Sequence, residues 1–314
     1  MIMLRNVSLF LLLVRSSCFS TTTNVIPTPR RKTKRTRRIQ NRRLEPSLPP
    51  SSPLFGFFNF GGLSSSSAST AKIPSSTNDR DKQAIQSIQS ALANPRDPSL
   101  PLVECEFPAL AALNKLGDGS LRSTLEAEDA NVAFVKKLVT GLAPAPFLGP
   151  KITIIVSSSA SSSLLNNMKT QVKSATVFSL KDGMPDVSVG KDNVYVCLTP
   201  SSRNDFQVAK SLAESSTPAI IVNAFAKDQK SVPEDATMAY YLKPLTYNSQ
   251  VAGFLIRSYP SNWTVLDAQT KKVLGSFTDG EILVPKTNTP DLRKSVKLVQ
   301  SSFDERAIRA RAGL

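Results

Sequence analysis

Apolar residues follow two alternating patterns along the chain, one typical of buried strands and one typical of amphipathic helices. Short β-branched and aliphatic runs at residues 152–156 and 219–222 predict strands buried on both faces, as in a parallel sheet. Further strands are predicted at residues 102–107, 175–180 and 194–198. Apolar residues spaced three or four apart predict helices over residues 85–92, 132–142, 164–172 and 206–212. The alternation predicts an α/β domain with a mostly parallel, Rossmann-like central sheet and flanking helices.

The pattern changes after Asp235, where strands follow one another without helices between them. These antiparallel strands are predicted at residues 238–243, 251–258, 263–268 and 273–277. Pro290 is predicted at the first position of a C-terminal helix, whose apolar stripe contains Leu292, Val296, Val299 and Phe303. Ser123 and Glu126 are predicted to form the capping box of an earlier helix.

Composition divides the chain into a leader (residues 1–43), a low-complexity linker (44–77), the α/β domain (78–290) and a basic tail (291–314). The leader begins with a short apolar segment, too short to span a bilayer, and continues with a stretch rich in hydroxyl and basic residues. This order resembles the two-part plastid leaders of algae, in which an aromatic residue, here Phe19, follows the signal segment. A mitochondrial presequence is the main alternative. A nuclear signal at residues 30–38 and secretion are weaker ones.

The net charge of +15 is concentrated at the two ends of the chain. Residues 1–43 contain eleven Lys and Arg residues and no acidic residue, whereas residues 44–290 have a net charge near +1. A nucleic-acid-binding domain needs a basic face to displace counterions from phosphates, so nucleic acid is not an expected partner. The basic tail leaves peripheral contact with a membrane or an acidic partner open, and no transmembrane segment is expected in the mature protein.

The residue types needed for common catalytic and metal sites are scarce. The chain has no histidine, the commonest general base and metal ligand, and its three cysteines have neither zinc nor disulfide spacing. We therefore expect no metal, no cofactor and no catalytic residues. Cys105 and Cys197 are expected to be buried apolar residues. Glu104 and Glu106 share one face of a strand, and such a carboxylate pair could carry out acid–base chemistry. The simpler expectation is a solvated edge or an ion pair.

Two hydroxyl-rich loops follow buried strands and precede helices, the position at which open α/β sheets bind anions. They contain Ser157, Ser158 and Ser159 in the first loop, and Thr199, Ser201 and Ser202 in the second. Both loops lack the glycines of nucleotide-binding motifs, so a phosphate pocket is one interpretation and simple helix capping is the other.

Arg257, Tyr259 and Trp263 form the most distinctive segment, at a predicted turn between strands. Arginine, tyrosine and tryptophan dominate interface hot spots, so these residues are candidate partner contacts. The alternative is a turn whose tryptophan fills the core.

Four motifs follow one another along the domain: VECEFP at residues 103–108, LNKLGDGS at 113–120, YLKPL at 241–245 and AGFLIRSYPSNWTV at 252–265. Together they resemble the domain-of-unknown-function 1995 family of plants, algae and cyanobacteria. Ser261 and Asn262 stand where the family often has Gly-Pro, a difference that affects the turn.

The resemblance implies a stromal or thylakoid-associated plastid protein without established enzyme activity. Plant relatives help photosystem II core subunits assemble, and the same domain is fused to plastid adenylate kinases. The resemblance therefore favours a non-enzymatic assembly factor that acts through protein–protein contacts. A ligand- or nucleotide-binding α/β domain that uses the hydroxyl-rich loops is the alternative. Neither the client nor the oligomeric state follows from the sequence.

Overall fold

A computed structural model describes residues 71–109, 124–144, 149–183, 189–190, 192–225, 227–228 and 230–313. The leader, the linker as far as residue 70 and the predicted cap Ser123 lie outside the described residues. Within the described ranges, no helix combines the length and the apolar character needed to cross a bilayer.

A single nine-stranded sheet forms the centre of the fold, in the order β3-β2-β4-β5-β1-β6-β7-β8-β9. Strands β1 to β5 are parallel to one another, as predicted. Strand β6 was predicted among the antiparallel strands, but it pairs parallel with β1 on one side and antiparallel with β7 on the other. The first six strands are β1 (Leu102–Glu106), β2 (Lys151–Val156), β3 (Thr176–Ser179), β4 (Asn193–Leu198), β5 (Ala219–Val222) and β6 (Thr237–Tyr247).

Helices cover both faces of the parallel part and bury it from solvent. The first face packs against α1 (Thr77–Ala93), α2 (Thr124–Leu142) and α3 (Ser162–Gln171), and the opposite face packs against α4 (Arg203–Glu214). Side chains on β4 alternate between the two layers: Val196 lies with the first group and Cys197 with α4. The predicted Rossmann-like α/β arrangement is confirmed.

The antiparallel extension is also confirmed, and it extends the same sheet. It consists of β7 (Gln250–Ser258), β8 (Trp263–Asp267) and β9 (Val273–Phe277). Strand β6 is longer than predicted and continues through Pro244. Proline is tolerated there because β1 ends opposite Tyr241, so the missing N–H of Pro244 removes no hydrogen bond to β1.

The C-terminal helix α6 (Leu292–Arg311) packs on the antiparallel strands. The contact is close: a Cβ atom on Gly253 of β7 would lie 2.5 Å from Cγ2 of Val299. The predicted start of this helix is wrong by two residues. Asp291 is the N-cap, because its side chain accepts a hydrogen bond from the Arg293 N–H, and Pro290 precedes the cap.

Candidate functional site

The two hydroxyl-rich loops meet at the carboxyl ends of β2 and β4. The chain leaves these two neighbouring strands on opposite faces of the sheet. It continues from β2 into α3 on one face and from β4 into α4 on the other. Such switch points open a crevice between the outgoing loops, where α/β proteins bind ligands. The hydroxyl oxygens of Ser157 and Ser201 are 2.9 Å apart. The structure thus brings the two predicted loops together.

Asp205, which the sequence did not single out, accepts the hydrogen bonds of both loops. The Ser157 hydroxyl donates to Oδ2 at 2.7 Å and the Ser158 hydroxyl to Oδ1 at 2.9 Å. The backbone N–H groups of Ser201 and Ser202 donate to Oδ2 at 3.0 and 3.3 Å. Asp205 is the third residue of α4, and it completes a capping box with Ser202. The arrangement is that of an anion site whose anion is a side chain of the protein.

These hydrogen bonds hold Asp205 in its charged form. Burial alone raises its pKa, but the bonds from Ser157, the Ser201 backbone and Ser158 outweigh burial and lower the pKa to about 2. A phosphate at the same donors would have to displace or approach this carboxylate. The predicted phosphate pocket stays a prediction, and capping of α4 by Ser202 is confirmed.

We expect Asp205→Ala to lower the free energy of unfolding at pH 7 by about 2–4 kcal/mol, because it leaves several buried hydrogen-bond donors without an acceptor. The wild-type carboxylate contributes its stability fully above its ordinary pKa of 3.8 and loses it as the pH falls towards 2. Urea unfolding at pH 7, 4 and 3 should therefore show the difference between the two proteins shrinking. Glu214→Ala, which removes an exposed carboxylate from the same helix, is the control. An equal effect of both substitutions would contradict the prediction.

A cleft of about 450 Å³ lies beside this network, along the carboxyl edge of the sheet. Its volume is within the range of small-molecule and peptide-side-chain pockets. The apolar lining residues are Pro108, Ala109, Ala127, Ala160, Leu164, Phe225 and Pro244; the polar ones are Thr124, Glu128, Asn131, Ser159, Ser161 and Thr199. The α2 residues among them occupy positions 124, 127, 128 and 131 and so lie on one stripe of the helix.

The backbone at the cleft edge adopts a conformation that side chains disfavour. Thr199 directly follows β4 and Asn223 directly follows β5, both with φ of 48°. Positive φ is costly for a β-branched threonine and is found preferentially at functional sites. The Asn223 side chain holds its neighbours in place: its Nδ2 atom donates to Asn131 of α2 at 2.8 Å, and its Oδ1 atom accepts from the Phe107 N–H at 2.9 Å.

Glu104 of β1 forms a buried ion pair. Lys227 donates to its Oε1 atom at 2.6 Å, and Asn288 Nδ2 donates to Oε2 at 2.7 Å. The ion-pair alternative is confirmed, and the solvated edge is wrong for Glu104, which is 0% exposed. Burial and the Glu104 carboxylate raise the pKa of neighbouring Glu106.

The three candidate contact residues have different environments. Trp263 is fully buried, and Arg257 is 4% exposed. The Trp263 indole N–H donates to Asp279 at 2.6 Å, and Arg257 forms an ion pair with the same carboxylate at 3.4 Å. The burial of Trp263 is what the core alternative predicts. Tyr259 is partly exposed and donates to the Asn94 carbonyl at 2.7 Å. The contact role of the three residues stays a prediction.

The described cysteines occupy the positions expected of buried apolar residues. Cys105 and Cys197 are free and buried, and burial raises the pKa of Cys197 to about 12, so its thiol stays protonated. No set of three His, Cys, Asp or Glu side chains is grouped for metal binding in the part of the chain that the structure describes.

The comparisons with known proteins identify one family. The model of a domain of unknown function, DUF1995, matches residues 74–279, about two thirds of the chain. Comparisons with curated proteins and with solved structures gave no match. The matched region contains the carboxyl-edge cleft, the Asp205 network and the buried Glu104 pair.

Proposed function

The chain belongs to the DUF1995 family, and from that premise we propose that it is a non-catalytic plastid factor that binds a client protein in its carboxyl-edge cleft. The client, under this proposal, is a subunit of a photosynthetic complex, with photosystem II the first choice. The resemblance to plant assembly factors supports the choice of client, and the geometry of the cleft supports the mode of binding.

One observation carries the mode of binding: a large apolar side chain is exposed at the rim of an apolar cleft. Phe225 is 84% exposed. Its backbone is nevertheless held, because its N–H donates to the Pro200 carbonyl at 2.9 Å. An exposed aromatic ring on a fixed backbone beside an apolar cleft is typical of protein interaction sites, where aromatic residues contribute much of the binding energy.

The chemistry around the cleft supports binding over catalysis. The chain has no histidine that could activate a serine, and the hydroxyls of Ser157 and Ser158 are already engaged as hydrogen-bond donors to Asp205. The Asp205 carboxylate is saturated with hydrogen bonds and has a pKa of about 2, so it is a weak base. Polar groups that are already satisfied suit a preformed binding surface.

The plastid location is supported by the leader. A fluorescent fusion of the intact chain is expected in the plastid, and a fusion that lacks residues 1–43 is expected outside it. Mitochondrial fluorescence of the intact fusion would replace the plastid proposal with the mitochondrial alternative.

Crosslinking in isolated thylakoids tests the client. The tagged full-length chain should be enriched with photosystem II core subunits, and Phe225→Ser should reduce that enrichment by about five-fold or more, the loss of one aromatic anchor. Ile308→Ser is the matched control, since Ile308 is also an exposed apolar residue (65%) but lies near the end of α6.

Two outcomes contradict the proposal. Failure to recover any photosystem subunit after crosslinking would remove the client. Equal enrichment by wild type and Phe225→Ser would remove the cleft as its binding site.

A further inference from the structure

We propose that the cleft receives a lysine or arginine side chain from an apolar segment of the client. This inference rests on the proposed function and specifies the chemistry that the cleft selects. The distribution of charge around the cleft and the apolar surface that leads to it both favour such an occupant.

Among the described residues that line the cleft, the one ionisable side chain is acidic. Glu128, on the cleft-facing stripe of α2, accepts a hydrogen bond from the Ser161 hydroxyl at 2.8 Å through its Oε2 atom. Its Oε1 atom accepts no hydrogen bond from any other described residue. One carboxylate oxygen is therefore available to a donor that enters the cleft.

A second carboxylate makes the same region more negative. Asp205 lies behind the serine loops, hydrogen-bonded to Ser157, whose hydroxyl is 3.1 Å from that of the lining residue Ser159. None of the described lining residues is a lysine or an arginine. Lys181 approaches from outside, and its Nζ atom donates to the Ala160 carbonyl at 2.6 Å.

The apolar part of the cleft suits the stem of a long basic side chain. Leu164, Ala127 and Phe225 provide surface for methylene groups, and Glu128 provides an acceptor for the charged head. Lysine and arginine combine these two properties, because their stems are apolar and their heads are charged. A free phosphate or a carboxylate would meet Glu128 and Asp205 as like charges.

Three capped pentapeptides test the inference with the full-length chain. They have the sequence Gly-Leu-X-Leu-Gly with X as arginine, norleucine or glutamate, and binding is measured by fluorescence anisotropy. We expect the arginine peptide to bind about ten-fold more tightly than the norleucine peptide, and the glutamate peptide to bind more weakly than both. Glu128→Gln should remove most of the arginine preference and leave the norleucine affinity unchanged. Asp129→Asn, which changes an exposed carboxylate one residue later on α2, should retain the preference.

The outcomes separate this inference from the proposed function. Equal affinity for arginine and norleucine, no binding of any peptide, or an arginine preference that survives Glu128→Gln overturns the basic side chain as the occupant. If Phe225→Ser still removes client crosslinks in that case, the proposed function stands. If Phe225→Ser changes neither peptide binding nor crosslinking, the proposed function itself fails.

Discussion

Lys227→Met is expected to lower the free energy of unfolding by about 3–5 kcal/mol, the usual effect of breaking a buried ion pair from one side. Glu104 is fully buried on a central strand, and Lys227 supplies its only cationic hydrogen-bond donor among the described residues. Without the ammonium group, the carboxylate must stay charged in a nonpolar environment or take up a proton. Urea unfolding at pH 7 measures the loss.

A double substitution distinguishes the ion pair from general damage to the loop. Glu104→Met combined with Lys227→Met removes both charges, and we expect it to recover most of the stability that Lys227→Met alone loses. Lys230→Met is the control, because Lys230 is exposed three residues later in the same loop. If Lys227→Met costs no more than Lys230→Met, the buried pair does not stabilise the fold.

Trp263→Ala is expected to lower the free energy of unfolding by about 3–5 kcal/mol, the range for truncation of a buried aromatic residue. The indole packs against Tyr241, with ring centroids 5.3 Å apart, and donates to Asp279 at 2.6 Å. The substitution therefore leaves a cavity and removes the indole hydrogen bond to Asp279, whose other oxygen keeps its ion pair with Arg257. Urea unfolding gives the magnitude.

The matched variants separate a core role from a contact role for this segment. Tyr259→Phe removes only the hydrogen bond to the Asn94 carbonyl and should cost about 0.5–1.5 kcal/mol. Trp263→Phe should remain folded and keep its client crosslinks, because the tryptophan is not exposed. A folded Trp263→Phe protein that loses its client would instead support a partner-contact role for Trp263.

Much of the fold was predictable because the central strands β2, β4 and β5 are buried on both faces and therefore appear in the sequence as continuous apolar runs. Strands β2, β4 and β5 match their predicted ranges within one residue. The errors occur where the partner of a segment decides its structure. The length of β6 depends on where β1 ends beside it, and the start of α6 depends on which side chain caps the Arg293 N–H.

The candidate site was only partly predictable. The serine loops followed from their positions after apolar strands, but Asp205 resembles any acidic residue in the first turn of a helix. Glu104 meets Lys227 and Asn288 across 123 and 184 residues of sequence, so no local pattern reveals the pair. The sequence left both a core role and a contact role open for Trp263, because composition cannot distinguish a core aromatic residue from an interface one.

The Asp205 network has a consequence for how such a domain could change. In other α/β folds the donors at a switch point take their anion from solution. Here one residue of α4 supplies a resident ligand, so the loops stay ordered without any metabolite. A single substitution of Asp205 by a small neutral residue would vacate that position. The serine donors would then be free to bind an anion of about the size of phosphate from solution. Stability would be exchanged for a new affinity, a trade-off common where binding sites arise in stable scaffolds.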